Sequence, residues 1–188
     1  MNRIVLASGS PRRKQLLEWA EIDFEVIVQE TAETWPPGLG ITDIPVHIAR
    51  NKALAVEALL EPGRVIIAAD TVVVLGEEII GKPQDRDDAV GILMRLAGKR
   101  HEVITGVVLR RGGQEQAFSD RTAVFFHDLS LEEIRGYVDR YRPYDKAGAY
   151  AIQEWIGVVG IKRIEGDFYN VMGLPVSRVV RALRNWEI

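Results

Sequence analysis

Eleven consecutive residues, Val65 to Leu75, form an apolar run broken only by Asp70-Thr71. A run of this length and character reads as a buried strand. Around it, strand-like and helix-like segments take turns along the chain. Ile4–Ala7 is a short apolar run that ends at Ser8-Gly9-Ser10-Pro11, where Ser10 suits a helix N-cap and Pro11 the first helical position. Leu16, Leu17 and Ala20 then give that helix one apolar face. Phe24–Val28 reads as a strand, and residues 29–42 as a loop broken by Pro36-Pro37-Gly38 and Gly40.

The spacing predicts a helix over Asp43–Leu60, with Ile48, Ala49, Ala53, Val56, Leu59 and Leu60 on its inner face and Pro62-Gly63 as its stop. Val65–Leu75 turns at Gly76-Glu77-Glu78 into Ile79-Ile80. A second amphipathic helix covers Asp87–Ala97, with Val90, Leu93 and Leu96 inward and Gly98 ending it. Strands over Glu102–Arg110 and Ala117–Phe126 join through Gly112-Gly113. Ser130-Leu131-Glu132-Glu133 is a capping box that opens a helix to about Arg140. Gly148–Ile152 and Gly157–Asn170 mix turns, helix and strand. Pro175 opens a last helix with Val176, Val179, Val180 and Leu183 as its buried stripe. The alternation argues for an α/β fold with a mixed twisted sheet and flanking helices. No linker, repeat or low-complexity stretch divides residues 1–188, which read as a single domain.

Composition narrows the function classes. A formal net charge of −3 excludes a large sequence-independent grip on nucleic acid, though a local cation cluster can still hold a small polyanion. Cysteine is absent, which excludes disulfides, thiolate metal sites and cysteine nucleophiles, and makes the reducing cytoplasm the simplest compartment. Arg3 precedes only Ile4–Ala7, too short for a signal-peptide core, and no run approaches the ~20 apolar residues of a membrane span.

Four constellations can carry chemistry. In Ser8-Gly9-Ser10-Pro11-Arg12-Arg13, a strand runs through a small-residue turn into a helix N-terminus, which suits a phosphate. Two arginines in a first turn oppose the helix dipole, and a bound anion would reverse that sign. The same residues also describe a capped helix with two solvated arginines. Asp70, inside an apolar strand, needs a partner, a metal or an open cleft, because burying a lone charge costs several kcal/mol. Backbone N–H groups at a strand break would also satisfy it.

Gly81-Lys82-Pro83 combines close backbone approach with a point charge, and Lys52 lies within the Asp43–Leu60 helix; each is equally readable as a solvated lysine. Glu30 and Glu33 in the long loop offer oxygen ligands for a hard divalent cation, or are simply solvated. Gln153, after Tyr144–Ile152, carries the donor and acceptor that reading a nucleobase edge needs. His47, His101 and His127 show no metal-ligand spacing and read as structural or surface residues.

Taken together, Leu6–Arg13 with Leu16-Leu17, Ala68-Ala69-Asp70-Thr71-Val72, Gly81-Lys82-Pro83, Gly98 with His101 and Thr105-Gly106-Val107, Asp145–Tyr150 with Gln153, and Asn170–Pro175 resemble, in order and over nearly the whole chain, the motifs of the Maf family of nucleoside triphosphate pyrophosphatases. The resemblance implies a mixed α/β fold similar to inosine triphosphate pyrophosphatases, with two lobes around a cleft. It implies hydrolysis of a nucleoside triphosphate to the monophosphate and pyrophosphate with Mg²⁺ or Mn²⁺, in a cytoplasmic enzyme that is commonly a homodimer. Asp70 would be the proton acceptor. Ser8, Ser10, Arg13, Lys52 and Lys82 would bind substrate, and Glu33 with Glu30 would hold the metal. Ala32 replaces one acid of the family's usual run there. Arg12, Thr71 and Gln153 match the specificity positions of the dTTP/UTP branch rather than those of the branch acting on 7-methyl-GTP. A pyrophosphatase for non-standard purine nucleotides and a nucleotide-binding regulator of cell division without turnover are the rival readings. Asp70 is the discriminator against the second, since an anion-binding site gains nothing from a carboxylate beside the phosphates.

Overall fold

Three parallel strands open the architecture of the computed structural model, which describes residues 4–186; Arg3, which precedes the first apolar run, lies outside them. β1 (Ile4–Leu6) pairs in parallel with β2 (Phe24–Val26) on one side and with β3 (Ile66–Leu75) on the other. Two-sided burial explains why β1 is wholly apolar. The rest of the sheet adds β4 (Glu78–Ile80), antiparallel to β3, then β5 (Arg100–Arg111), β6 (Gln114–Phe126) and β7 (Ile161–Glu165). The order is β2-β1-β3-β5-β6-β7, with β4 attached to β3 and β7 antiparallel to β6. This is the mixed α/β sheet that the alternation predicts.

Helices flank these strands: α1 (Pro11–Trp19), α2 (Ile44–Glu57), α3 (Arg86–Leu96), α4 (Leu131–Tyr141), α5 (Trp155–Gly160), α6 (Phe168–Met172) and α7 (Val176–Leu183). The chain divides into two compact units. One holds the residues up to Asp70 with Thr105–Asp120 and the stretch from Gly173 onward; the other holds Thr71–Ile104 and Arg121–Met172. β3, β5 and β6 each contribute to both.

In the first unit, Ala49, Ala53 and Val56 of α2 pack on Val5, Ile66, Ala68 and Val108 of the sheet. The approach is close. A Cβ on Gly106 of β5 would stand 2.2 Å from the Val46 nitrogen and 2.3 Å from the Pro45 carbonyl carbon, so only glycine lets α2 begin there. Leu59 and Leu60 fall beyond α2, and Leu59 is exposed, because the helical turn ends before them.

In the second unit, α3 starts at Asp85, whose carboxylate accepts from the Asp88 amide at 2.9 Å. α4 starts at the predicted capping box: the Glu133 amide donates to Ser130 Oγ at 3.2 Å, and the Ser130 amide donates to Glu133 Oε2 at 2.8 Å. Its core includes Val73, Leu93, Leu96, Phe126, Ile134, Tyr137 and Ile156. In α7, Ala182 takes the inward place expected of Val180, alongside Val179 and Leu183.

Candidate active site

The turn after β1 is built by two serines. Ser10 caps α1, accepting from the Arg13 amide at 3.5 Å. Ser8 Oγ accepts from the Ser10 amide at 3.3 Å and from Arg13 Nη1 at 3.0 Å. Arg13 Nε donates to the Gly173 carbonyl at 2.8 Å. Arg13 is therefore buried, not solvated as the capped-helix reading had it, while Arg12 beside it is half-buried. Burial holds the Arg13 pKa below its ordinary value; the negative charge of Asp70 acts against that, Arg12 reinforces it, and Glu33 opposes it. A guanidinium nevertheless stays charged, so this is a fixed positive centre.

Asp70 sits inside an unbroken strand rather than at a strand break. β1 ends opposite Ile67, so Asp70 lies three residues past the carboxyl end of the β1–β3 pairing. In α/β sheets that end is where ligands bind. Ile66, Ala68 and Asp70 share a face by the two-residue period of a strand, and Ile66 and Ala68 touch α2. Lys52, one turn before Val56 on α2, reaches the same face: its Nζ donates to Asp70 Oδ1 at 2.7 Å and to Glu33 Oε1 at 2.9 Å. The Asp70 side chain is 12% exposed and that of Lys52 17%, which makes the ion pair partly desolvated; Glu33, at 46%, forms its open side. Asp70 thus meets the need for a partner through a residue 18 positions earlier.

Thr71 follows Asp70 on the same strand, so its side chain points to the opposite face. That face carries Val73, which a Cβ on Gly148 would meet at 3.0 Å. Adjacency in sequence does not give Thr71 the surroundings of Asp70.

Lys82 and Gln153, both exposed, belong to the second unit with Thr71. The amide of Gly148 donates to the Gly81 carbonyl at 3.1 Å, tying the Lys82 segment to the short 3₁₀ turn Ala147–Ala149 that leads towards Gln153. His101 is buried beside Phe126 and Tyr150, with Nε2 2.7 Å from the Tyr150 hydroxyl. Burial, with the charge of Arg100, pushes its pKa down to about 4, so it is a structural neutral imidazole as the sequence suggests.

Among the described residues no three His, Asp or Glu side chains gather as a metal cage. Two carboxylates, Glu33 and Asp70, converge on one ammonium, and Glu30 is exposed on the loop. A pair of carboxylates fits Mg²⁺ or Mn²⁺ that keeps water and substrate phosphate oxygens as its other ligands. Sequence reasoning missed the Gly173 carbonyl, because nothing local marks a backbone acceptor 160 residues from Arg13.

A cationic turn at a helix N-terminus beside a strand aspartate, on a mixed α/β sheet, suits a phosphate-bearing ligand such as a nucleotide. A family profile described as "Maf-like protein" covers residues 3–186, and the chain belongs to that family. It is 50% identical over 180 residues to a dTTP/UTP pyrophosphatase of Cytophaga hutchinsonii, covering 96% of this chain and 82% of that one. A dTTP/UTP pyrophosphatase of Bacteroides thetaiotaomicron is 45% identical over 183 residues, covering 97% of this chain and 95% of the relative. Among solved structures, the Staphylococcus aureus Ham1 protein shares the fold with a TM-score of 0.54 at 16% identity, covering 99% of this chain and 100% of its own.

Proposed function

We propose that this protein hydrolyses the α–β phosphoanhydride bond of dTTP and UTP, yielding the nucleoside monophosphate and pyrophosphate. The observation that carries the reading is the Lys52-bridged Asp70, held beside the buried charge of Arg13 at the carboxyl end of parallel strands. A purely binding site for an anion has no use for that carboxylate. The names of the relatives, at 45–50% identity, support the choice of nucleotide.

In this mechanism Asp70 accepts a proton from a water as its oxygen forms a bond to the α-phosphorus. The α–β bridging oxygen leaves with pyrophosphate. Lys52 balances the charge on Asp70 and Glu33 before the substrate binds and on the polyphosphate afterwards. Arg13, fixed by Ser8 and Gly173, cannot swing away, which favours positioning over induced fit. Glu33 with Asp70 would hold a divalent cation, which when bound neutralises phosphate oxygens. From the family motifs we assign Lys82 to the triphosphate and Arg12, Thr71 and Gln153 to the base. A thymine or uracil ring offers two carbonyls and one N–H, and a glutamine amide answers one of each. Cytoplasmic location and a homodimer complete the proposal, supported by the lack of cysteine and by the family resemblance.

The test is a panel of dTTP, UTP, CTP, ATP and GTP with Mg²⁺ or Mn²⁺, read as released pyrophosphate. One mispaired buried polar group costs about 1–3 kcal/mol, so kcat/KM for UTP should exceed that for CTP by roughly ten- to a hundredfold. Equal kcat/KM across the panel refutes the base assignment, and the absence of pyrophosphate refutes the reaction.

A further inference from the structure

Gln153 stands on a four-residue turn. The Glu154 amide donates to the Ala151 carbonyl at 3.1 Å, so Ile152 and Gln153 are the two central residues of that turn. Ile152 is buried and Gln153 exposed, which aims the amide outward from an anchored base. Both ends of the turn meet a single atom. The Ala151 amide donates to the Tyr137 hydroxyl at 3.3 Å, and that hydroxyl donates to Glu154 Oε2.

The rest of the surroundings holds this clamp still. Tyr137 is 1% exposed, and its ring stacks on Tyr141 at 4.9 Å and Trp155 at 6.5 Å. Glu154 occupies the N-cap position of α5 without capping it; its second oxygen lies 3.8 Å from Lys146 Nζ, which also donates to Asp145 at 2.7 Å. The back of the turn is pressed on α5, since a Cβ on Gly157 would fall 1.7 Å from the Ile152 carbonyl oxygen. A carboxylate that gives up a capping role for a buried tyrosine is serving the turn rather than the helix.

We propose that Tyr137 and Glu154 are positioning residues that set base discrimination by fixing the turn that presents Gln153. The proposal rests on the assignment of Gln153 to the base. Freed of the clamp, the amide still exists but samples several orientations, and the ratio between UTP and CTP falls. Chemistry on the phosphates is common to both nucleotides and should change alike for both.

The experiment compares kcat and KM for UTP and CTP in the wild type, Tyr137→Phe, Glu154→Ala, Glu154→Gln and Gln153→Ala, with thermal melts alongside. Tyr137→Phe and Glu154→Ala are expected to cut the UTP-to-CTP ratio of kcat/KM about five- to tenfold, mainly by raising KM for UTP, with kcat changed less than about threefold. Glu154→Gln retains an acceptor for the hydroxyl and should keep most of the ratio. In the Gln153→Ala background, Tyr137→Phe should leave the ratio where it is. A purely structural role lowers stability and both activities together and leaves the ratio unmoved, which overturns the proposal. If Gln153→Ala narrows the ratio while the clamp variants do not, the clamp is refuted and the reading of Gln153 survives. If Gln153→Ala leaves the ratio unchanged, both fall. Should Tyr137→Phe fail to fold, the Glu154→Ala and Glu154→Gln pair decides.

Discussion

Acid should loosen this fold through one imidazole, and the size of the effect follows from its surroundings. His101 is 1% exposed, packed edge-on against Phe126 and Tyr150, with its Nδ1 buried away from any partner among the described residues. Burial holds its pKa near 4 against an ordinary 6.5. Above pH 6.5 the ring is neutral in both the folded and the unfolded chain, and the full stability is present. As the pH falls from 6.5 towards 4, the unfolded chain takes up a proton that the folded chain refuses, so stability drops. At about 1.4 kcal/mol per pH unit, the loss reaches about 3 kcal/mol by pH 4. Guanidinium unfolding of the wild type and of His101→Asn at stepped pH isolates this part, because the other titrating groups cancel in the difference. The variant should be less stable at neutral pH and should close on the wild type as pH falls. A difference that stays flat with pH, or an NMR titration placing His101 near 6.5, would refute the reasoning.

Asp70→Asn keeps the size of the side chain but cannot accept the proton, and turnover should fall by about 10²–10⁴-fold while nucleotide affinity, measured without divalent cation, is retained or improved. Arg13→Lys loses the paired bonds to Ser8 and Gly173, so kcat/KM should fall by a similar factor for every triphosphate; a change confined to one base would show that Arg13 does not serve the phosphates. Gly106→Ala puts a methyl against the backbone of Pro45 and Val46; about 1–3 kcal/mol or more of stability should be lost in denaturant melts, and an unchanged midpoint would contradict the close approach.

Much of this was readable from the chain because the signals were local. The Ser10-Pro11 start of α1 and the Ser130–Glu133 capping box depend on residues three apart, and both form as expected. The importance of Asp70 was legible as a charge in an apolar strand. Its solution was not, because Lys52 comes from α2 and no spacing rule links the two. Arg13 is likewise two-sided in the sequence, a phosphate ligand or a solvated cation, because the carbonyl that holds it lies far along the chain. Thr71, next to Asp70 in sequence, faces the other side of β3, which adjacency alone does not show. Residues 143–172, short helices and turns joined by a brief strand, carry too little periodicity for their elements to be read, and the turn that carries Gln153 lies among them.

The bond from Arg13 to the Gly173 carbonyl also fixes a timetable. During synthesis the arginine emerges early, and its acceptor is made 160 residues later. At about 5–20 residues per second, roughly ten to thirty seconds pass between the two events. The second unit's Thr71–Ile104 and Arg121–Met172 have all been translated by then, whereas the first still awaits the stretch from Gly173 onward. Arg13 therefore gains this bond only after every residue of the second unit has been translated. A nascent chain halted before Gly173 would hold all residues of the second unit and an Arg13 with the Ser8 bond but not the Gly173 one.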